Sequence, residues 1–111
     1  MTLQRMQSGR RILNKWDVCL AKVPFEDVKG LKVRPVLVLE DRALMLDCLK
    51  MTGHAPRKGE YVLKDWRLAG LHKETTVRIR KCLTLKSSMI IKKLGSLSAT
   101  DIVAIQGMLA P

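Results

Sequence analysis

Between Trp16 and Leu94 the chain is a series of short strand-forming runs, each closed by turn punctuation. Trp16–Val23 ends at Pro24, and Arg34–Glu40 is almost continuously apolar. Asp41-Arg42 reads as a turn into Leu44–Thr52, which runs into a Gly/Pro loop from Gly53 to Gly59. Tyr61–Lys64 is a short run, and Met89–Leu94 is a further one. Thr75–Leu85 alternates, with Val77, Ile79, Leu83 and Leu85 on one side and Arg78, Arg80, Cys82 and Thr84 on the other. That is the period-two pattern of a half-buried strand. Helical signals are few. Asp65–Gly70 reads as one turn stopped by glycine. Ser98-Ala99-Thr100-Asp101 is a capping box, and Ile102, Ile105 and Leu109 follow at helical spacing. The pattern predicts a mainly β fold: a small, strongly bent antiparallel barrel with a short C-terminal helix packed on the sheet. The 111 residues are one domain's worth, read as a basic arm over 1–14 and the barrel over 15–111. A chain of this length buries enough apolar surface to need no metal or disulfide staple.

The second run opens unusually. Arg34 stands where a charged loop becomes an apolar strand, and Pro35 follows it. Proline lacks a backbone N–H and suits the first residue of a strand or an edge. It also biases the preceding residue toward an extended conformation. Arg34 is therefore presented at a rigid rim, and a guanidinium suits a phosphodiester well. The plainer reading is a solvated arginine ahead of a core strand.

Charge narrows the partners. There are 21 Lys and Arg against 10 Asp and Glu, a net charge of +11. The excess gathers in residues 1–16 and between Glu74 and Asp101, stretches that contain no acid. Such a surface attracts polyanions, which favours a nucleic-acid partner over a generic basic domain. Cys19, Cys48 and Cys82 are odd in number, widely spaced and in apolar contexts, so they read as buried free thiols of a reducing compartment. With His54 and His72 as the only histidines, no zinc-ligand pattern forms. The N-terminal stretch lacks the apolar core of a signal peptide, and no apolar run approaches the roughly 18 residues that span a membrane. The expectation is a cytoplasmic protein with no cofactor.

The order of parts carries a resemblance. A strand is followed by a charged Gly-containing loop, Arg-Pro opening a strand, and Thr at the end of the next. With the blocks Pro56-Arg57-Lys58-Gly59-Glu60-Tyr61 and Lys64-Asp65-Trp66, the chain resembles the MazF/PemK (Kid-like) toxins of bacterial toxin–antitoxin pairs, over about residues 15–109. The resemblance implies an SH3-like barrel, assembled as a homodimer. It implies metal-independent, sequence-selective cleavage of single-stranded RNA, and neutralisation by an acidic antitoxin. The arginine of the Arg-Pro motif maps onto Arg34, its hydroxyl partner onto Thr52, and the covering loop onto Phe25–Val33. Arg78 matches the arginine of the late strand, but Arg80 stands where some members carry an aspartate.

The chemistry is coherent. RNA can be cut by its own 2′-hydroxyl, a step that needs proton transfers and cationic groups against the crowded phosphorane. Arg34 would supply N–H donors, and Thr52 would position the scissile phosphate. His54 is the candidate substitute for the missing aspartate, since imidazole transfers protons near neutral pH; the plainer reading is a surface histidine. Lys29, Lys32, Lys50, Arg78 and Arg80 are candidate RNA contacts, with solvated charge as the alternative for Lys50. Trp16 and Trp66 are read as core anchors, with base stacking as their alternative. Two other function classes stay open. One is a CcdB-like toxin that poisons gyrase through its C-terminal helix. The other is a non-catalytic nucleic-acid-binding barrel.

Overall fold

The computed structural model describes residues 12–24 and 30–110. Residues 1–11 of the basic arm, and Lys29 with most of the covering loop, lie outside the described residues. Among the described residues six strands form one antiparallel sheet: β1 (Asp17–Pro24), β2 (Leu31–Asp41), β3 (Met45–Thr52), β4 (Tyr61–Val62), β5 (Thr76–Lys86) and β6 (Ile90–Ser96). Their order across the sheet is β4-β5-β3-β2-β1-β6. A 3-10 turn at Ser87–Met89 links β5 to β6, and one helix, α1 (Ala99–Leu109), follows. No helix among the described residues is long and apolar enough to cross a membrane. The mainly β architecture with a C-terminal helix is the one the sequence pattern predicts.

Side-chain alternation gives the sheet an apolar cluster on each face. Val18, Leu37, Leu49, Met51, Val77 and Ile79 share one cluster with Leu63, Ala69, Leu97 and Ile105. The opposite cluster takes Cys19, Ala21, Val23, Val36, Val38, Leu46, Cys48 and Leu85. Leu13 is buried there too, and its N–H donates to Asp41 Oδ2 at 3.0 Å, so the last residues of the expected arm pack on the barrel. Trp16 and Trp66 both pack half-buried against the first cluster, in agreement with a core role.

The simple alternation read for β5 does not hold. Lys50 faces Arg78 and the preceding Leu49 faces Cys82, so β5 carries three residues, Ile79–Lys81, that β3 does not match. An odd insertion reverses the parity of everything beyond it. Val77 and Ile79 therefore enter one cluster, while Leu83 and Leu85 enter the other.

The outer strands β4 and β6 do not pair with each other, and the segment 65–71 lies against β6. The turn expected at Asp65–Gly70 is present: Ala69 N–H donates to Asp65 O, and Gly70 ends it at φ +81°. A Cβ on Gly70 would stand 2.1 Å from Leu94 O, and one on Gly95 would stand 2.7 Å from Ala69 O. Both positions need the bare backbone. The capping box is half made. Ser98 Oγ accepts from Asp101 N–H at 3.2 Å, but the Asp101 carboxylate turns away from the helix start. It accepts instead from Tyr61 Oη (2.7 Å), Lys64 N–H (3.0 Å) and Asp65 N–H (2.9 Å). Burial and this bond push the Tyr61 hydroxyl up to about 12, which keeps it a neutral donor. Ile105 is buried and Ile102 packs against the core, whereas Leu109 is exposed. Cys19 and Cys48 are buried free thiols, but Cys82 is exposed, because it follows the unmatched residues of β5.

Two outcomes follow from this packing. Gly70→Ala places a side chain at positive φ and against a carbonyl, and should cost roughly 2–5 kcal/mol, read from a denaturant midpoint. Burial pushes the Cys19 thiol up to about 11 and the Cys48 thiol up to about 12. A thiol reagent at mildly alkaline pH should therefore modify Cys82 rapidly in the native protein, and the other two only on unfolding.

Candidate functional site

The second apolar cluster ends in a cleft. Along β2, Val36 and Val38 point into that cluster, and the alternation continues outward to Arg34 and Lys32. Val36 lies opposite Lys50 on β3, and Lys50 lies opposite Arg78 on β5. Thr52, two residues beyond Lys50, falls on the same face. The sheet's own register thus brings Lys32, Arg34, Lys50, Thr52 and Arg78 to one cavity of about 280 Å³. Its walls are completed by Val23, Val36 and Met51, themselves buried. Among the described residues, four cations and one hydroxyl meet over an apolar base, and no carboxylate or imidazole is in the lining. Such a site suits an anion with several oxygens.

Arg34 and Thr52 are fixed by their neighbourhood. Arg34 Nη1 donates to Val33 O at 3.0 Å, holding an otherwise exposed guanidinium against the strand at the rim. Thr52 Oγ1 accepts from His54 N–H at 3.2 Å. A hydroxyl that accepts on one side keeps its own hydrogen for another partner. His54 O in turn accepts from Thr76 Oγ1 at 3.1 Å, so the start of the Gly/Pro loop is bound to β5.

Of the sequence candidates, Arg34, Thr52, Lys32, Lys50 and Arg78 converge. His54 and Arg80 do not line the cleft. The backbone of His54 serves Thr52, while its side chain is exposed. Arg80 sits among the unmatched residues of β5, is exposed, and has its Nε 3.8 Å from where a Cβ on Gly59 would lie. The insertion that admits Arg78 to the cleft puts Arg80 outside it. Among the described residues no cluster of His, Cys, Asp or Glu gathers to hold a metal ion.

Sequence reading missed Glu60. Its Oε2 accepts from Arg78 Nε at 3.0 Å and its Oε1 from Arg57 N–H at 3.0 Å. The pair is mostly shielded, with the Glu60 side chain 11% exposed and that of Arg78 22%. The Arg57 N–H first, and then the Arg78 guanidinium, hold the carboxyl below its ordinary range. The signal was present in the Pro-Arg-x-Gly-Glu-Tyr block, but nothing local says that its acid meets an arginine 18 residues away.

Neither a protein-family model nor a curated protein matches the sequence. Solved structures do resemble it. An endoribonuclease from a mycobacterial species superposes with a TM-score of 0.70 at 11% identity, covering 93% of this chain and 92% of that one. A mycobacterial endoribonuclease in complex with its cognate antitoxin gives 0.67 at 12% identity, covering 89% and 92%. MazF from Deinococcus radiodurans gives 0.59 at 22% identity, covering 82% and 88%. The chain therefore has the MazF-type fold.

Glu60 has a lowered pKa, so the stabilisation its charge gives is complete above the ordinary glutamate range and is lost as pH falls through the lowered value. A carbon-detected NMR titration should place the Glu60 carboxyl below an ordinary glutamate. In Arg78→Ala the value should move back up but stay depressed, because the Arg57 N–H remains.

Proposed function

We propose that the protein is an RNA endonuclease toxin of the MazF type, acting on single-stranded RNA. The observation that carries this reading is the convergence of Arg34 and Thr52, from different strands, on one cationic cleft. The endoribonuclease names of the fold neighbours support it.

The reaction this geometry fits is internal transfer. The 2′-oxygen attacks the adjacent phosphorus as its proton leaves, the bond to the 5′-oxygen breaks, and that oxygen takes up a proton. The products are a 2′,3′-cyclic phosphate and a 5′-hydroxyl. Negative charge gathers on the non-bridging oxygens in the transition state, and fixed donors already aimed there lower the barrier. Arg34, held at the rim by Val33 O, is such a donor. The Thr52 hydroxyl, which accepts from the His54 N–H and keeps its own hydrogen to donate, holds the phosphate in place. Lys32, Lys50 and Arg78 retain the flanking backbone by charge. Base selection, a homodimeric assembly, a cytoplasmic setting and an acidic antitoxin belong to the same reading. A partly disordered acidic segment that lies in the cationic cleft would exclude RNA by competition; a neighbouring fold is an endoribonuclease with its cognate antitoxin. No observation favours the gyrase alternative.

The test is incubation of the purified protein with a long single-stranded RNA in EDTA, with the 5′ ends mapped. Discrete cuts leaving 5′-hydroxyl ends are expected. Arg34→Ala and Thr52→Ala should each lower the rate about 10²–10³-fold while the fold persists. Cleavage that EDTA abolishes, or 5′-phosphate ends, would overturn the mechanism. Binding without cleavage would leave a nucleic-acid-binding barrel.

A further inference from the structure

Glu60 is an acid set against a cationic wall. Among the described residues the cleft is lined by four cations and no carboxylate, yet Glu60 lies 3.0 Å from one of those cations. A carboxylate there weakens the attraction of the cleft for any polyanion, because it offsets the charge of Arg78. What it supplies in return is geometry. The contact is made to Nε, the nitrogen within the side chain, so the guanidinium plane is oriented from behind. Glu60 is itself held: its second oxygen accepts from Arg57 N–H, and its own N–H donates to Arg57 O at 3.0 Å. The segment 53–60 is thus tied at its far end to Arg78 through Glu60, and at its near end to Thr52 through the His54 N–H.

We propose that Glu60 is a positioning residue for Arg78: it fixes the guanidinium at the cleft wall for the phosphate being transferred, at the expense of ground-state affinity for RNA. The inference rests on the endonuclease reading. It follows from differential binding. A group that weakens binding of the substrate and yet raises the rate spends binding energy on the transition state, as ordering of the Arg78 guanidinium would.

The experiment compares the full-length wild type with Glu60→Gln and Glu60→Asp. Glutamine keeps the size and an acceptor oxygen but removes the charge; aspartate keeps the charge. Two quantities are read on each: the cleavage rate at saturating RNA, and the affinity for the same sequence with every 2′-oxygen methylated, which binds but has no nucleophile. Thermal unfolding establishes the folded fraction. Glu60→Gln should bind the methylated RNA several-fold more tightly and cleave about 10-fold or more slowly at saturation. Glu60→Asp should restore near wild-type affinity and part of the rate. A residue that merely stabilises the barrel would lower the unfolding temperature and leave both quantities unchanged per folded molecule, and that result overturns the proposal. So does weaker binding by Glu60→Gln, or an unchanged rate. If the wild type binds RNA but leaves it intact, the endonuclease reading fails, and with it the positioning role. If the wild type cleaves and the variants match it, only the Glu60 inference fails.

Discussion

The three unmatched residues of β5 are the constraint on which the molecule turns. Before them, Val77 is buried in one cluster and Arg78 faces the other side of the sheet, opposite Lys50. After them, Leu83 and Leu85 are the residues that face that other side. The same residues in unbroken alternation would have to choose. They could present Arg78 to the cleft and lose Leu83 and Leu85 from the cluster beneath, or keep the leucines and turn the arginine away. A bulge resolves this by changing parity within one strand, and it disposes of Arg80 and Cys82 on the exposed surface as a consequence.

Closure is a separate problem, solved by bare backbone and one carboxylate. The sheet ends at β4 and β6, which do not pair, and unpaired edges are a hazard for any β protein. The segment 65–71 covers β6 by close approach at Gly70 and Gly95. Asp101 then ties β4 and the chain leading into that segment to α1, through bonds from Tyr61, Lys64 and Asp65. The carboxylate is fully buried, a position an acid tolerates when its lone pairs are taken. The helix therefore does more than cover the core: it carries the acid that holds the chain between β4 and 65–71. Asp17 on β1 plays a related part beside β6, accepting from Asn14 N–H and Ser96 Oγ and lying 3.3 Å from Lys93 Nζ.

Much of the site was legible because it follows from local rules. Proline after Arg34 fixes an extended backbone, and strand alternation carries Arg34 and Lys32 outward from Val36. The same rule places Thr52 beside Lys50. His54 and Arg80 show where local rules end. Both are polar and near the motif in sequence, yet one contributes only its backbone and the other is thrown out by the insertion. Glu60 shows the converse: an acid in an unremarkable loop becomes the partner of a cleft arginine because β4 pairs with β5 and carries the end of that loop alongside it.

The sequence by itself determined the strand and turn order, the Ser98 cap and the extended Arg34-Pro35 step, although β2 begins at Leu31, three residues before the strand start read at Arg34. These depend on propensity, alternation and the chemistry of proline and glycine, which act over a few residues. Only the tertiary structure decided the register of β5 against β3, the turning of Asp101 from its own helix to the segment 61–65, and the pairing of Glu60 with Arg78. Each of these is a contact between residues far apart in the chain. Their strength comes from shielding that exists only once the sheet has curled and the outer segments have closed over it.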